Sequence, residues 1–230
     1  MTCCRLSLLK RQTMIVDSMT DEEVFQELGR DRETLSHWWR HKLESLRRHA
    51  LKCSRFPLCL DFEYMSPRRI HYIIHTRILD KRMRRIVTGC FALRRLDGLI
   101  LYTAPMIHQV HITQMVFTAH MLRRYAERCG VELSGVELAR HYVCHNSIFK
   151  DCYDQRLVGR SVRWNGEEHV SFCTPNGVVL GHDRNGIFIA RTFITYDMTT
   201  GIQREEFGRL RDQIPTEREL HDASLCGFWF

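Results

Sequence analysis

Apolar positions along the chain follow two spacings. From Thr20 to about Leu51 they recur at helical intervals, with Phe25, Leu28, Leu35, Trp38, Trp39, Leu43 and Leu46 on one stripe. Thr20 followed by Glu23 is a capping box, in which hydroxyl and carboxylate take up free backbone N–H groups at a helix start. Gly29 is the point where this helix can bend, and the adjacent Trp38 and Trp39 predict that it lies against another element. From Pro67 the spacing shortens to alternation. "RRIHYIIHTRIL", "RRIVTGCFALRR" and "GLILYTAP", separated by "DKRM" and "LDG", read as an antiparallel meander of three strands. Arg69, His71 and His75 interleave with apolar neighbours and give this meander one polar, basic face.

Two helices come next. The first runs from Phe117 to Cys129 and closes at Gly130, and the second starts at Ser134 with Glu137 three residues on. After a polar stretch to about Gly166, "EHVSFCTP", "GVVLGHDR" and "GIFIARTFIT" form a second meander joined at Asn176-Gly177 and Asn185-Gly186, because Asn-Gly tolerates the positive φ of tight hairpins. The last run is apolar on both sides, with Ile187, Ile189 and Phe193 on one face and Phe188, Ala190 and Ile194 on the other. That predicts a central strand covered on both faces and interrupted by Arg191 and Thr192. "YDMTTGIQREEFGRLRDQI" reads as a loop and a final helix. The predicted class is α+β, antiparallel meanders with packed helices. Residues 1–18 read as a disordered tail or a mis-assigned start, 19–110 as the first helix and basic meander, 111–214 as the two helices, second meander and final helix, and 215–230 as a tail.

Composition narrows the function classes. Of 230 residues 44% are hydrophobic, enough for a core, yet no apolar run approaches the roughly 18 to 20 residues that cross a bilayer. "LSLL" is too short for a signal-peptide core, so the expected compartment is the cytoplasm, with no membrane partner. The ten cysteines contain no C-x2-C pair, and neither "CSRFPLC" nor "CHNSIFKDC" has zinc-site spacing. Reduced thiols, no metal and no cofactor are expected. His108 and His111 of "HQVH" would point to opposite faces of an extended linker. There is no Gly-rich phosphate loop, no G-x-S-x-G and no H-E-x-x-H. Net charge is +7, but Arg40 to Asp97 holds fifteen Lys and Arg against five Asp and Glu, so the remainder of the chain sums to −3. Such a basic segment suits a phosphate-binding surface, since cations gain by releasing counterions from nucleic acid.

The helix "FTAHMLRRYAERCG" divides into an apolar side (Met121, Leu122, Tyr125, Ala126, Cys129) and a polar side on which His120, Arg124 and Arg128 form an i, i+4, i+8 ladder. One reading is a general acid/base histidine beside phosphate-holding guanidinium groups. The other is a solvated face in which Arg123 and Arg124 pair with Glu127. "FTAHMLRRYAERCGVELSGVELARH" resembles the H-x-x-x-R-x-x-x-R helix, followed by a second capped helix, of small bacterial proteins related to RelE/BrnT-type toxins, which share the barnase–EndoU–colicin–RelE ribonuclease-like fold. The resemblance spans Thr113 to about Thr195, roughly 80 of 230 residues. It implies a C-terminal α-α-β-β-β module with a metal-independent RNA-cleaving or RNA-binding surface. On that resemblance the catalytic set is His120, Arg124, Arg128 and Thr192, with Arg191 beside it on the strand. Arg82, Arg84, Arg85, Arg94 and Arg95 of the basic segment would join Arg191 in guiding the polymer backbone. The partner expected is RNA or another nucleic acid, with a neutralising or mobile-element protein as a second. Two alternatives stand: a non-catalytic mobile-element or phage accessory protein that binds nucleic acid or an acidic partner, and an antagonist or scaffold without nucleic acid.

Overall fold

The computed structural model describes residues 15–106, 114–146, 149–152, 163–164 and 167–214. In chain order these form α1 (Asp21–Ala50), β1 (Leu58–Met65), β2 (His71–Ile78), β3 (Ile86–Leu96), β4 (Gly98–Thr103), β5 (Gln114–Phe117), α2 (Ala119–Cys129), α3 (Gly135–Asn146), β6 (Lys150–Cys152), β7 (Arg163–Trp164), β8 (Glu167–Thr174), β9 (Gly177–Arg184), β10 (Ile187–Ile194) and α4 (Ile202–Arg211). The ten strands make one sheet in the order β1-β2-β3-β4-β5-β10-β9-β8-β6, with β7 on β8. Every pairing is antiparallel except β5 with β10, where Gln114–Phe117 runs parallel to Ile187–Ala190. The two meanders therefore share a single sheet, joined at that parallel pair. Strand β1 extends the first meander beyond the three predicted strands. No helix among the described residues is long and apolar enough to cross a membrane.

Helix α1 covers one face of the first meander. The capping box is present: Glu23 N–H donates to Thr20 Oγ1 and Thr20 N–H donates to the Glu23 carboxylate. Its stripe of Val24, Phe25, Leu28, Leu35, Trp39, Leu46 and Ala50 enters a cluster with Tyr72, Ile74, Ile78, Ala92 and Tyr102, and burying each of the larger side chains contributes about 1.5–3 kcal/mol. Trp38 stacks on Tyr64 at 4.5 Å, and Trp39 meets Phe62 edge-on, so the helix travels along β1 from its Met65 end toward Leu58. Gly29 sits inside α1 without breaking it.

Helices α2 and α3 cover the opposite face, where Ile73, Phe91, Leu101, Phe117, Phe172, Val179, Phe188 and Phe193 meet Met121, Leu122, Tyr125, Ala139, Tyr142 and Val143. Helix α2 starts two residues later than the apolar pattern suggests. Phe117 is the last residue of β5, and Thr118 is the N-cap, its hydroxyl oxygen accepting from Met121 N–H. Gly130 closes the helix at φ 64°, in the left-handed region that favours glycine. A third cluster, of Leu79, Cys152, Cys173, Val178, Phe207, Leu210 and Ile214, packs α4 between the second meander and the β2–β3 end of the first. Leu79, which follows β2, and Val87 of β3 thus share this cluster with Cys173 of β8 and Val178 of β9.

Two local features depart from the alternation read in the sequence. Ala190 pairs with Gly181 but Thr192 pairs with Leu180, which leaves Arg191 as the extra residue of a β-bulge. The bulge reverses the alternation, so Phe193 joins the α2–α3 face and Ile194 the α4 cluster, the opposite of the predicted sides. The first hairpin turn is Pro175-Asn176, because Thr174 pairs with Gly177; the second is Asn185-Gly186 as expected, with φ of 55° and 80°. Gly177 instead serves close packing: a Cβ there would lie 2.2 Å from the Ile194 carbonyl oxygen. At the N-terminal end, Ile15 is buried and Arg94 donates from one guanidinium nitrogen to the carbonyl oxygens of Val16, Asp17 and Met19 at 2.8–2.9 Å. Residues 15–18 are thus part of the fold, in contrast to the predicted tail.

Candidate functional site

The outer face of α2 carries the predicted ladder, and the structure shows what each member touches. His120 is exposed and its Nδ1 lies 3.0 Å from an Arg123 guanidinium nitrogen, which makes that ring nitrogen the acceptor. Arg124 pairs with Glu127 at 2.8 Å, and Arg123 reaches the same carboxylate at 3.9 Å. Arg128 donates to the backbone carbonyl of Phe193. Two of the three ladder positions are therefore held by internal partners. The strand residues lie elsewhere. Thr192 sits opposite Leu180 of the α4 cluster while its neighbour Phe193 faces α2, so alternation sends Thr192 to the other side of the sheet. Arg191 points to His182 at 3.4 Å, and His182 pairs with Ile189 of the α1 face. The structure does not bring His120, Arg124, Arg128 and Thr192 onto one surface; the bulge at Arg191 is the physical reason, since it reverses the side chains downstream of it.

The predicted cations of the basic segment separate in the same way. Arg94 is 5% exposed; besides the three carbonyls it donates to the Tyr102 hydroxyl, which in turn donates to Asp21. It is a structural residue and not part of any surface. Arg95 is exposed at the far end of β3. Arg82 and Arg84 are exposed at the β2–β3 turn, and Arg85 is half-buried, 3.7 Å from Asp80.

That turn is one part of a larger basic end of the sheet. Leu58 pairs with Ile78 and Ile78 with Ile86, so the start of β1, the end of β2 and the start of β3 lie together. Helix α1 arrives at this end: Leu46 and Ala50 enter the cluster that also takes Phe56, Leu58 and Met83 from the two loops. Arg47, Arg48, Lys52, Arg55, Lys81, Arg82 and Arg84 are all exposed here, and none is in an ion pair among the described residues. The acid of the turn, Asp80, is occupied. Its carboxylate accepts from the backbone N–H groups of Arg82, Arg84 and Arg85, and these bonds with the Arg85 charge hold its pKa below the usual carboxylate value against the opposing effect of burial. The seven cations therefore face solvent without an ion-pair partner among the described residues.

A polar network unforeseen from the sequence lies between β1, β2 and α3. Asp61 and His75 are register partners, and His75 Nδ1–H donates to Asp61 at 2.6 Å while Arg77 Nε–H donates to His75 Nε2 at 3.2 Å. Arg77 also donates to the Cys144 carbonyl at 2.7 Å, and the Cys144 thiol donates to Asp61 at 3.2 Å. Asp61, His75 and Cys144 place ligand-type atoms within 4.8 Å of one another. The tautomer argues against a metal there. A metal on Nδ1 would move the ring proton to Nε2, directly facing the Arg77 N–H. Burial and the Asp61 bond push the Cys144 thiol up to about 12, so it is not a thiolate nucleophile either. The bond from His75 holds Asp61 below the usual carboxylate range. This arrangement is a relay of hydrogen bonds that fastens α3 to the edge of the sheet. Separately, a cavity of about 510 Å³ lies at the α2–α3 corner, lined by Tyr125, Cys129, Leu133, His141 and Asn176 among others. Inside it the Tyr125 hydroxyl meets His141 Nδ1 at 3.0 Å, and burial followed by His145 keeps the His141 pKa below its ordinary value.

The chain matches no protein-family model, no curated protein and no solved structure. Its function is therefore argued from these groups alone. The sequence carried the signal for the basic end in the charge count from Arg40 to Asp97, but only the pairing of β1, β2 and β3 shows which cations meet. The Asp61–His75–Cys144 network joins residues 83 apart in sequence and has no local signature. His108 and His111 lie outside the described residues.

Proposed function

We propose that this chain is a nucleic-acid-binding protein that engages the phosphate backbone through the basic end of its sheet. The observation that carries the reading is the group of seven exposed cations, without ion-pair partners among the described residues, from the last turns of α1, the loop after it and the β2–β3 turn, beside an aspartate whose carboxylate is directed to backbone N–H groups and to Arg85. Lysine and arginine on a rigid end of this kind favour sequence-independent backbone contact, because counterion release rewards the number of phosphates met and not the bases between them. Arg82 and Arg84 keep the role the sequence suggested for them, joined by Lys81, Arg47, Arg48, Lys52 and Arg55.

On this reading the described residues between Thr113 and Thr195 pack the sheet and are not the binding surface. Cleavage without metal needs an acid/base group and charge-stabilising groups around one phosphate. The ladder on α2 offers an exposed His120 whose neighbours Arg124 and Arg128 are tied to Glu127 and Phe193. Support for the non-catalytic accessory reading is correspondingly greater. The test is fluorescence anisotropy of the purified chain with labelled single-stranded RNA and duplex DNA over a salt series. Binding whose log K falls steeply and linearly with log salt, without cleavage of the RNA, is the expected result. Salt-independent binding, or none at about 50 mM salt, would overturn it.

A further inference from the structure

Two helices of this protein carry histidines four residues apart, and they are arranged differently. On α3, His141 and His145 stack face to face at 4.2 Å; the Nδ1 of His141 meets the Tyr125 hydroxyl and the Nδ1 of His145 lies 2.8 Å from the His141 carbonyl oxygen. On α1, His37 and His41 meet at 77°, and their Nε2 atoms lie 3.1 Å from each other. Both rings are exposed. Two tetrahedral ligand nitrogens at about 2.0–2.1 Å from a zinc ion stand roughly 3.3 Å apart, so the α1 pair already has the spacing of a chelate.

We infer that His37 and His41 form a binding site for one divalent transition-metal ion, of the zinc, nickel or copper class, on the outer face of α1. The chemistry of the donors sets that class, since imidazole nitrogen suits these ions and is a poor ligand for magnesium or calcium. In the free protein one Nε2–H donates to the other ring's Nε2. On binding, the donor ring shifts its proton to Nδ1, and both Nε2 lone pairs turn to the ion with no net proton released from the neutral pair. The two imidazoles are the protein's own ligands in this site. Water completes the shell. Arg40 is the nearby like charge on this face and lowers the affinity without blocking the nitrogens. The site is independent of the basic end and of the nucleic-acid reading.

Calorimetric titration of the full chain with zinc chloride and nickel chloride tests this. One ion per chain is expected to bind in a manner that weakens more than about tenfold in His37→Ala and in His41→Ala. Urea unfolding midpoints of these exposed variants are expected to match the parent's. Cys144→Ser and His145→Ala are expected to bind as the parent does. Cobalt should bind without the charge-transfer absorption that a thiolate ligand produces. The inference falls if the parent shows no saturable binding, or if Cys144→Ser abolishes binding while His37→Ala retains it. A cobalt–thiolate band lost on Cys144→Ser would overturn it in the same way.

Discussion

On α2, arginines have partners within the molecule: Arg124 and Arg123 share Glu127, and Arg128 holds the Phe193 carbonyl. At the end of the sheet where β2 turns into β3, Lys81, Arg82 and Arg84 have none among the described residues, and the one acid in the turn is bound to backbone N–H groups. The residue types are the same, and the difference comes from backbone geometry. A helix places a residue three or four positions away beside its neighbour, so a single glutamate pairs with two arginines. A tight turn draws its aspartate inward to satisfy main-chain donors, and the side chains of the basic residues are left outside. Counting charges therefore does not separate the paired arginines of the helix from the unpaired ones of the turn.

The largest effect that would break this comparison is on binding. A Lys81→Glu, Arg82→Glu, Arg84→Glu variant should lose about 100-fold in nucleic-acid affinity near physiological salt, with the salt slope shallower by about 2 to 3. Reversing Arg123 and Arg124 to glutamate should cost much less, within about threefold. Equal losses from the two variants in the same anisotropy assay would erase the distinction between tied and free cations. Next in size is Arg94, a buried cation whose two terminal nitrogens are held by four oxygen atoms. Arg94→Met strands three carbonyl oxygens and the Tyr102–Asp21 pair, and should lower unfolding stability by about 3 kcal/mol in urea titration, with unchanged affinity for nucleic acid. A loss of affinity in the folded variant would return Arg94 to the surface reading.

The smallest effect concerns pH. Asp61 has a depressed pKa in the folded chain, chiefly through the bond from His75, so its contribution to stability is present above the unfolded value of about 4 and disappears as pH falls through the lower folded value. Asp61→Asn should flatten the fall in stability across that acid window, read as urea midpoints measured from pH 6 downward. An unchanged slope would show that the network at the α3 edge does not contribute through Asp61.

Much of this fold was legible because it is written locally. The Thr20–Glu23 box, the Gly130 cap, the alternation from His71 to Thr103 and the Asn185-Gly186 turn each need only a few neighbouring residues. What escaped depends on distant ones. Phe117 read as helix because it is apolar and adjoins a helical pattern, yet pairing with Ala190 across the parallel join makes it strand. The sides of Phe193 and Ile194 were reversed by a bulge that only the register with β9 defines. Leu58, Leu60, Phe62 and Tyr64 recur at every second position as a strand requires, but the roles of Leu58, Asp61 and Met65 came from facing Ile78, His75 and His71. The candidate site divides along the same line. The presence of a basic segment was visible, and its assembly from three connected pieces was not. His37 and His41 stand in "HWWRH" at helical spacing, a signal that could have been found.

Strand β5 has a mechanical consequence. Among the described residues it is the backbone link between the two meanders, with two register pairs to β4 and four to β10. A pull applied across the sheet, from β1 toward β6, meets only those few backbone rungs at this join, whereas β1 and β2 share eight. Under load or spontaneous opening, the chain should part there first, like cloth along a short seam. Amide exchange at Val116 and Phe117 would then run ahead of exchange in β2 and β9, and each half would keep its own ladder while the molecule came open down the middle.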